Sequence, residues 1–211
     1  MKWTQLPLGP LQTNAYVLQN EAKDAIVIDP GSEGPALVQW LKEQNLKPLA
    51  ILLTHAHFDH IGAVDDVRNE FKCPVYIHQE EQDWLPDGSK NGSERFLGSN
   101  AITARPADHT IENEQTLRLG SFQFEVLETP GHSPGSVSFY SKEHSIVFSG
   151  DALFAQSIGR TDLPGGNHQQ LLESIHQKLL ELPEDTVVAC GHGPTTTIGS
   201  EMDSNPFLSG F

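Results

Sequence analysis

Four potential metal ligands, His55, His57, Asp59 and His60, fall within six consecutive positions directly behind the apolar run Leu49 to Leu53. On a helix, His55 and His57 would point about 200° apart, whereas residues two apart in extended chain project to one side. The cluster therefore asks for a strand that ends in a loop able to converge its donors. A catalytic metal needs about three protein donors and a pair of metals about six or seven, so further donors must come from elsewhere in the chain.

Three other places supply them. Thr129-Pro130-Gly131-His132-Ser133-Pro134-Gly135 puts His132 in a turn behind Phe122 to Leu127. Phe148-Ser149-Gly150-Asp151 puts a carboxylate at the end of the next apolar run, and Ala189-Cys190-Gly191-His192-Gly193 places His192 behind Val187-Val188. A lone His or Asp in a turn is ordinarily solvated or structural. That reading does not explain four donor sites that each follow an apolar run. His78, His109, His144, His168 and His176 sit in no such motif and read as ordinary polar residues.

The remaining pattern describes the scaffold. Ala25 to Ile28, Leu49 to Leu53 and Val75 to Ile77 are Ile- and Val-rich runs closed by turn formers, the signature of buried strands. From Thr116 to Phe148 apolar and polar positions alternate between turns, which predicts an antiparallel meander. Helical spacing is clearest from His168 to Leu182, with Asn167 and Gln170 as a capping pair. Shorter helices are expected over Gly34 to Gln44 and Ile61 to Phe71, and the aperiodic stretch Gln82 to Asn100 reads as a long surface loop or an insertion. Residues 1–211 are expected to form a single domain.

Charge and cysteine usage narrow the function. With 13 Lys+Arg against 28 Asp+Glu, the net charge of −15 repels nucleic acid and anionic membranes. Cys73 and Cys190 lie far apart and form no C-x-x-C pair, so neither a disulfide framework nor a cysteine-built zinc site is indicated. The N-terminus lacks the apolar run of a signal peptide, and a soluble, cytoplasmic, monomeric protein is expected.

The ordered set His-x-His-x-Asp-His, Gly-His-Ser-Pro-Gly, Ser-Gly-Asp and Gly-His resembles the metallo-β-lactamase superfamily, specifically its glyoxalase II-like (hydroxyacylglutathione hydrolase) branch. The likeness runs from Thr13-Asn14-Ala15-Tyr16 and Ile28-Asp29-Pro30-Gly31 to His192. It implies an α/β protein, a four-layer αββα sandwich, with a dinuclear site. By the same resemblance His55, His57 and His132 hold one divalent ion, Asp59, His60 and His192 hold the other, and Asp151 bridges them. Zinc is the expected metal, although iron and manganese accept the same donors. Asp59 would also orient the metal-bound hydroxide, and Asp29 would orient a ligating imidazole.

The resemblance implies hydrolysis of a glutathione thioester such as S-lactoylglutathione, a step in methylglyoxal detoxification. Three other activities occur on similar scaffolds. Acyl-homoserine lactonases share the ligand set. Persulfide dioxygenases use one iron, here to be held by His55, His132 and Asp151, and resemble Ser149 to Phe154 and Gly159 to Asp162. The commonest β-lactamases place a Cys on the second metal, so antibiotic hydrolysis is not expected of a chain with Asp151 and His60 there. Larger glyoxalase II enzymes grip glutathione through a basic C-terminal portion, whereas residues 193–211 contain no Lys or Arg. Weak glutathione binding follows, with Arg160 as the candidate substrate contact.

Overall fold

The computed structural model describes residues 1–208. The chain divides into two compact units, one of residues 1–112 with 118–122, the other of residues 113–117 with everything from Gln123 onward.

In the first unit, β1 (Lys2–Leu8), β2 (Thr13–Gln19), β3 (Asp24–Ile28), β4 (Lys47–Leu52), β5 (Val75–His78) and β6 (His109–Ile111) form one sheet in chain order. The first two pairings are antiparallel and the remaining three parallel. Parallel neighbours need crossovers, and α1 (Gly34–Glu43), α2 (Phe58–Ile61) and α3 (Val64–Phe71) lie in the first two. Every residue of β2 is buried, as are Ala25 to Ile28 of β3, which is why β3 reads as a continuous apolar run. The hairpin β1–β2 gave no such signal, because most of β1 is only half-buried and contains Pro7. Leu37, Leu41, Val64 and Val67 of the helices pack with Val27, Ile51 and Val75 of the sheet in one core.

Two expectations need correction here. The helix expected over Ile61 to Phe71 is broken, because Gly62 N–H and Ala63 N–H donate to Gly31 O (3.0 Å) and Pro30 O (2.9 Å) instead of to helical carbonyls. The stretch Gln82 to Asn100 is not an irregular loop. It contains the end of a 3₁₀ turn (Gln79–Trp84), then α4 (Ser93–Leu97) and a second 3₁₀ turn (Gly98–Asn100). Its anchors are local polar bonds without periodicity. Buried Asn91 donates through Nδ2 to Ile102 O (2.9 Å), and buried Ser93 donates through Oγ to the same carbonyl (3.0 Å).

The expected meander follows, most of it in the second unit. Strands β7 (Gln115–Leu119), β8 (Phe122–Glu128), β9 (Val137–Ser141) and β10 (Ile146–Gly150) are neighbours, and β10 then pairs in parallel with β13 (Val187–Cys190). A short hairpin, β11 (Leu153–Phe154) with β12 (Ser157–Ile158), precedes α5 (His168–Ser174). Asn167 caps α5 by accepting from Gln170 N–H (3.1 Å), and the helix continues as a π-helical turn over Ile175–Leu179. Leu171, Leu172, Ile175 and Leu179 pack with Val147, Val188 and Cys190. Strand β14 (Thr196–Thr197) leads into α6 (Ile198–Ser204).

From α6, buried Glu201 accepts from Gln156 N–H (2.8 Å), Thr196 Oγ1–H (2.6 Å) and Asn205 Nδ2–H (2.8 Å), tying the helix to the β11–β12 hairpin. No helix among the described residues is long and apolar enough to cross a membrane.

Both cysteines are buried, and burial pushes each thiol up to about 11. The native protein should therefore be inert to a thiol-titrating disulfide reagent at mildly alkaline pH, with two thiols appearing on denaturation; a reactive thiol in the folded state contradicts this. Glu201→Ala leaves three donors without their acceptor and should cost about 2–4 kcal/mol in denaturant unfolding. An unchanged midpoint would show the clamp to be idle.

Candidate metal centre

In the first unit the donors follow the end of β4, and their orientation is set from the end of β3. Asp29 takes a left-handed backbone conformation (φ 47°), which Asp tolerates better than most residues. Its Oδ1 accepts from Thr54 N–H (2.8 Å), while Oδ2 accepts from Thr54 Oγ1–H (2.6 Å) and from His60 Nδ1–H (2.9 Å). Because the Thr54 hydroxyl proton is directed to Asp29, its oxygen accepts from His55 Nδ1–H, 3.0 Å away. One buried carboxylate thus fixes the tautomer of two buried imidazoles, leaving the lone pair of each on Nε2.

The neighbouring donors are held as firmly. Asp59 Oδ2 accepts from Thr13 Oγ1–H (2.8 Å) and lies 3.7 Å from His60 Nε2. The His55 ring meets that of His57 edge-on at 4.8 Å. Between these two histidines, Ala56 N–H donates to Oε2 of fully buried Glu81 (2.6 Å). Gly31 permits the turn to close up, since a Cβ there would stand 1.8 Å from Asp59 O.

The second unit carries its own set around Asp151, the residue after β10. His132 Nε2 lies 3.6 Å and His192 Nε2 3.5 Å from Asp151 Oδ2. His132 Nδ1–H donates to Arg160 O (2.7 Å), so here too the lone pair sits on Nε2. Gly159 is required because a Cβ would fall 1.8 Å from Asp151 O.

These sets have the chemistry of metal sites. Donor pairs at 3.5–3.7 Å are too long for hydrogen bonds. They are close to the roughly 3.3–3.4 Å that separates two ligands on one tetrahedral ion with bonds of about 2.0–2.1 Å. All seven donors offer imidazole nitrogen or carboxylate oxygen, a composition that suits zinc, iron or manganese.

His55, His57, Asp59 and His60 thus make one set, with Asp29 behind it, and His132, Asp151 and His192 make another. Arg160 contributes at two points. Its guanidinium is engaged by Asp162 through two bonds of 2.7 and 2.8 Å, and the residue meets the donor set through its carbonyl. Thr13 and Thr54 stand within motifs whose spacing does not show that their hydroxyls orient ligands, and Glu81 carries no sequence signal, being one of several acids in an unpatterned stretch.

Replacing Asp29 by Ala should weaken metal binding about 10- to 100-fold, measured by competition with a chelating dye. Glu81→Ala should weaken it less, because it acts on a backbone amide rather than an imidazole. Unaltered affinity in Asp29→Ala would refute the orienting role.

Comparison with known proteins places this geometry. The sequence profile of the metallo-beta-lactamase superfamily matches residues 8–192, a span containing all seven donors. The "Probable metallo-hydrolase YqgX" of Bacillus subtilis (strain 168) is 56% identical over 100% of this chain and 99% of its own. "Hydroxyacylglutathione hydrolase GloC" of Haemophilus influenzae is 38% identical over 97% of this chain and 96% of its own. Among solved structures, the BLEG-1 B3 metallo-beta-lactamase superposes with a TM-score of 0.97 at 61% identity, covering 99% of this chain and 100% of that one. TTHA1623 in a di-iron-bound form superposes with a TM-score of 0.84 at 43% identity, covering 97% and 100%. By sequence and by fold, the chain belongs to the metallo-beta-lactamase superfamily.

Proposed function

We propose that this metallo-hydrolase cleaves thioesters, and that its two donor sets serve one centre of two divalent ions. The observation that carries the reading is the seven-donor, all-nitrogen-and-oxygen set whose imidazoles His55, His60 and His132 are each fixed through Nδ1. When bound, two such ions supply hydroxide at neutral pH and polarise a carbonyl. Asp59, held through Thr13, accepts a hydrogen bond from the attacking water and aims it. Water gives up a proton to solvent as it adds to the acyl carbon, the C–S bond breaks, and the sulfur leaves as a thiolate that is protonated in solution. A thiolate, with an ordinary pKa of about 8.5, departs without a general acid, and the reading assigns none.

The likeness to GloC supports a thioester with glutathione as the thiol half. The single-iron dioxygenase alternative would leave Asp59, His60 and His192 idle, although Asp29 and Thr13 hold the first two in place. β-Lactam hydrolysis is a second reading, favoured by the 61% likeness to BLEG-1, against the expectation drawn from the missing Cys ligand. For the metal, the donors accept zinc, and the di-iron form of TTHA1623 supports iron equally.

Zinc- and iron-loaded protein should hydrolyse S-lactoylglutathione, lose activity on chelation and recover it on reloading. Asp59→Ala should lower kcat/KM by about 100-fold or more. β-Lactam or lactone cleavage without thioester cleavage, or oxygen uptake on glutathione persulfide, would overturn the proposal.

A further inference from the structure

The stretch after β5, which sequence alone suggests to be a loop, is fastened to the ligand turn at three points. The Trp84 ring lies 5.9 Å from that of His57. Phe58 N–H donates to Asn91 O (3.1 Å), and the Phe58 ring packs 5.8 Å from that of Phe96. Buried Asn91 and Ser93 anchor the start of α4 to Ile102 O, and the helix presents Phe96 half in water, with Leu97 38% exposed beside it. Phe58, Phe96 and Leu97 thus put apolar surface next to the ligand turn, where a substrate's aliphatic part can cover it.

Arg95 completes the arrangement. Its guanidinium lies 5.8 Å from the centre of the Phe96 ring. Arg68, Arg105 and Arg160 are each paired with a carboxylate, whereas among the described residues Arg95 makes no ion pair, in a chain of net charge −15. From Phe58, which sits between the donors His57 and Asp59, the path to Arg95 runs over two steps of 5.8 Å each.

We propose that Phe58, Phe96 and Arg95 form the binding wall for the thiol half of the substrate, a peptide-like thiol bearing a carboxylate. The rings seat its aliphatic arm beside the donors and Arg95 pairs with the carboxylate. This rests on the thioester reading and supplies the cation that residues 193–211 lack.

The test is binding of S-hexylglutathione, a thioether the site cannot cleave, to metal-loaded protein by calorimetry, alongside KM for S-lactoylglutathione. Arg95→Ala should raise both the Kd and the KM about three- to tenfold, with kcat changing less. Arg95→Lys should recover part of the loss, and Phe96→Ala should weaken binding similarly. Arg118→Ala, which removes an exposed cation on β7, should change nothing. No binding to the unaltered protein, or equal binding by Arg95→Ala, overturns the wall. Binding that depends on Arg95 without thioester turnover would sustain the wall and sink the thioester reading instead.

Discussion

The carboxylate of Asp29 governs the first donor set. Its three hydrogen bonds reach one backbone amide, one hydroxyl and one imidazole, and through the hydroxyl a second imidazole. Each bond involves a buried group, where an unpaired partner would be costly, so the network is held as a whole. Its result is chemical as much as structural. Both rings are engaged through Nδ1, which leaves Nε2 as the nitrogen that faces a metal.

The two units reach this outcome by one device, a pair of adjacent parallel strands whose C-terminal ends carry the chemistry. In the first, β3 and β4 run side by side with Ile28 opposite Leu52, so Asp29 and Thr54 emerge next to each other. In the second, Gly150 of β10 stands opposite Cys190 of β13, and the chain then delivers Asp151 and His192. The register slips between Phe148 and Gly150, and Gly150 takes a left-handed conformation (φ 51°) that turns the chain at Asp151. Strand ends position side chains well because the ladder behind them is rigid while the next residue escapes the pleat.

Most of this was legible because strand ends announce themselves: Ile28-Asp29-Pro30-Gly31, Leu53-Thr54-His55 and Gly150-Asp151 each switch from buried apolar to turn chemistry within one or two residues. What stayed hidden was non-local. Nothing around Gly62 foretells that its amide would prefer Gly31 O, 31 positions back, over the helix. Glu81 resembles its exposed neighbour Glu80 in sequence, yet one is buried on Ala56 N–H and the other faces water. The Trp84 to Leu97 stretch is ordered by side chains bonding to distant carbonyls, a pattern with no period to detect.

The central claim, that both donor sets serve one pair of ions, is tested most directly by anomalous-scattering crystallography of the metal-loaded protein. The account predicts two peaks about 3.5–4 Å apart, contacted by imidazole and carboxylate atoms of both sets. A lone peak at full loading, or two ions lodged separately in the two sets, would contradict it.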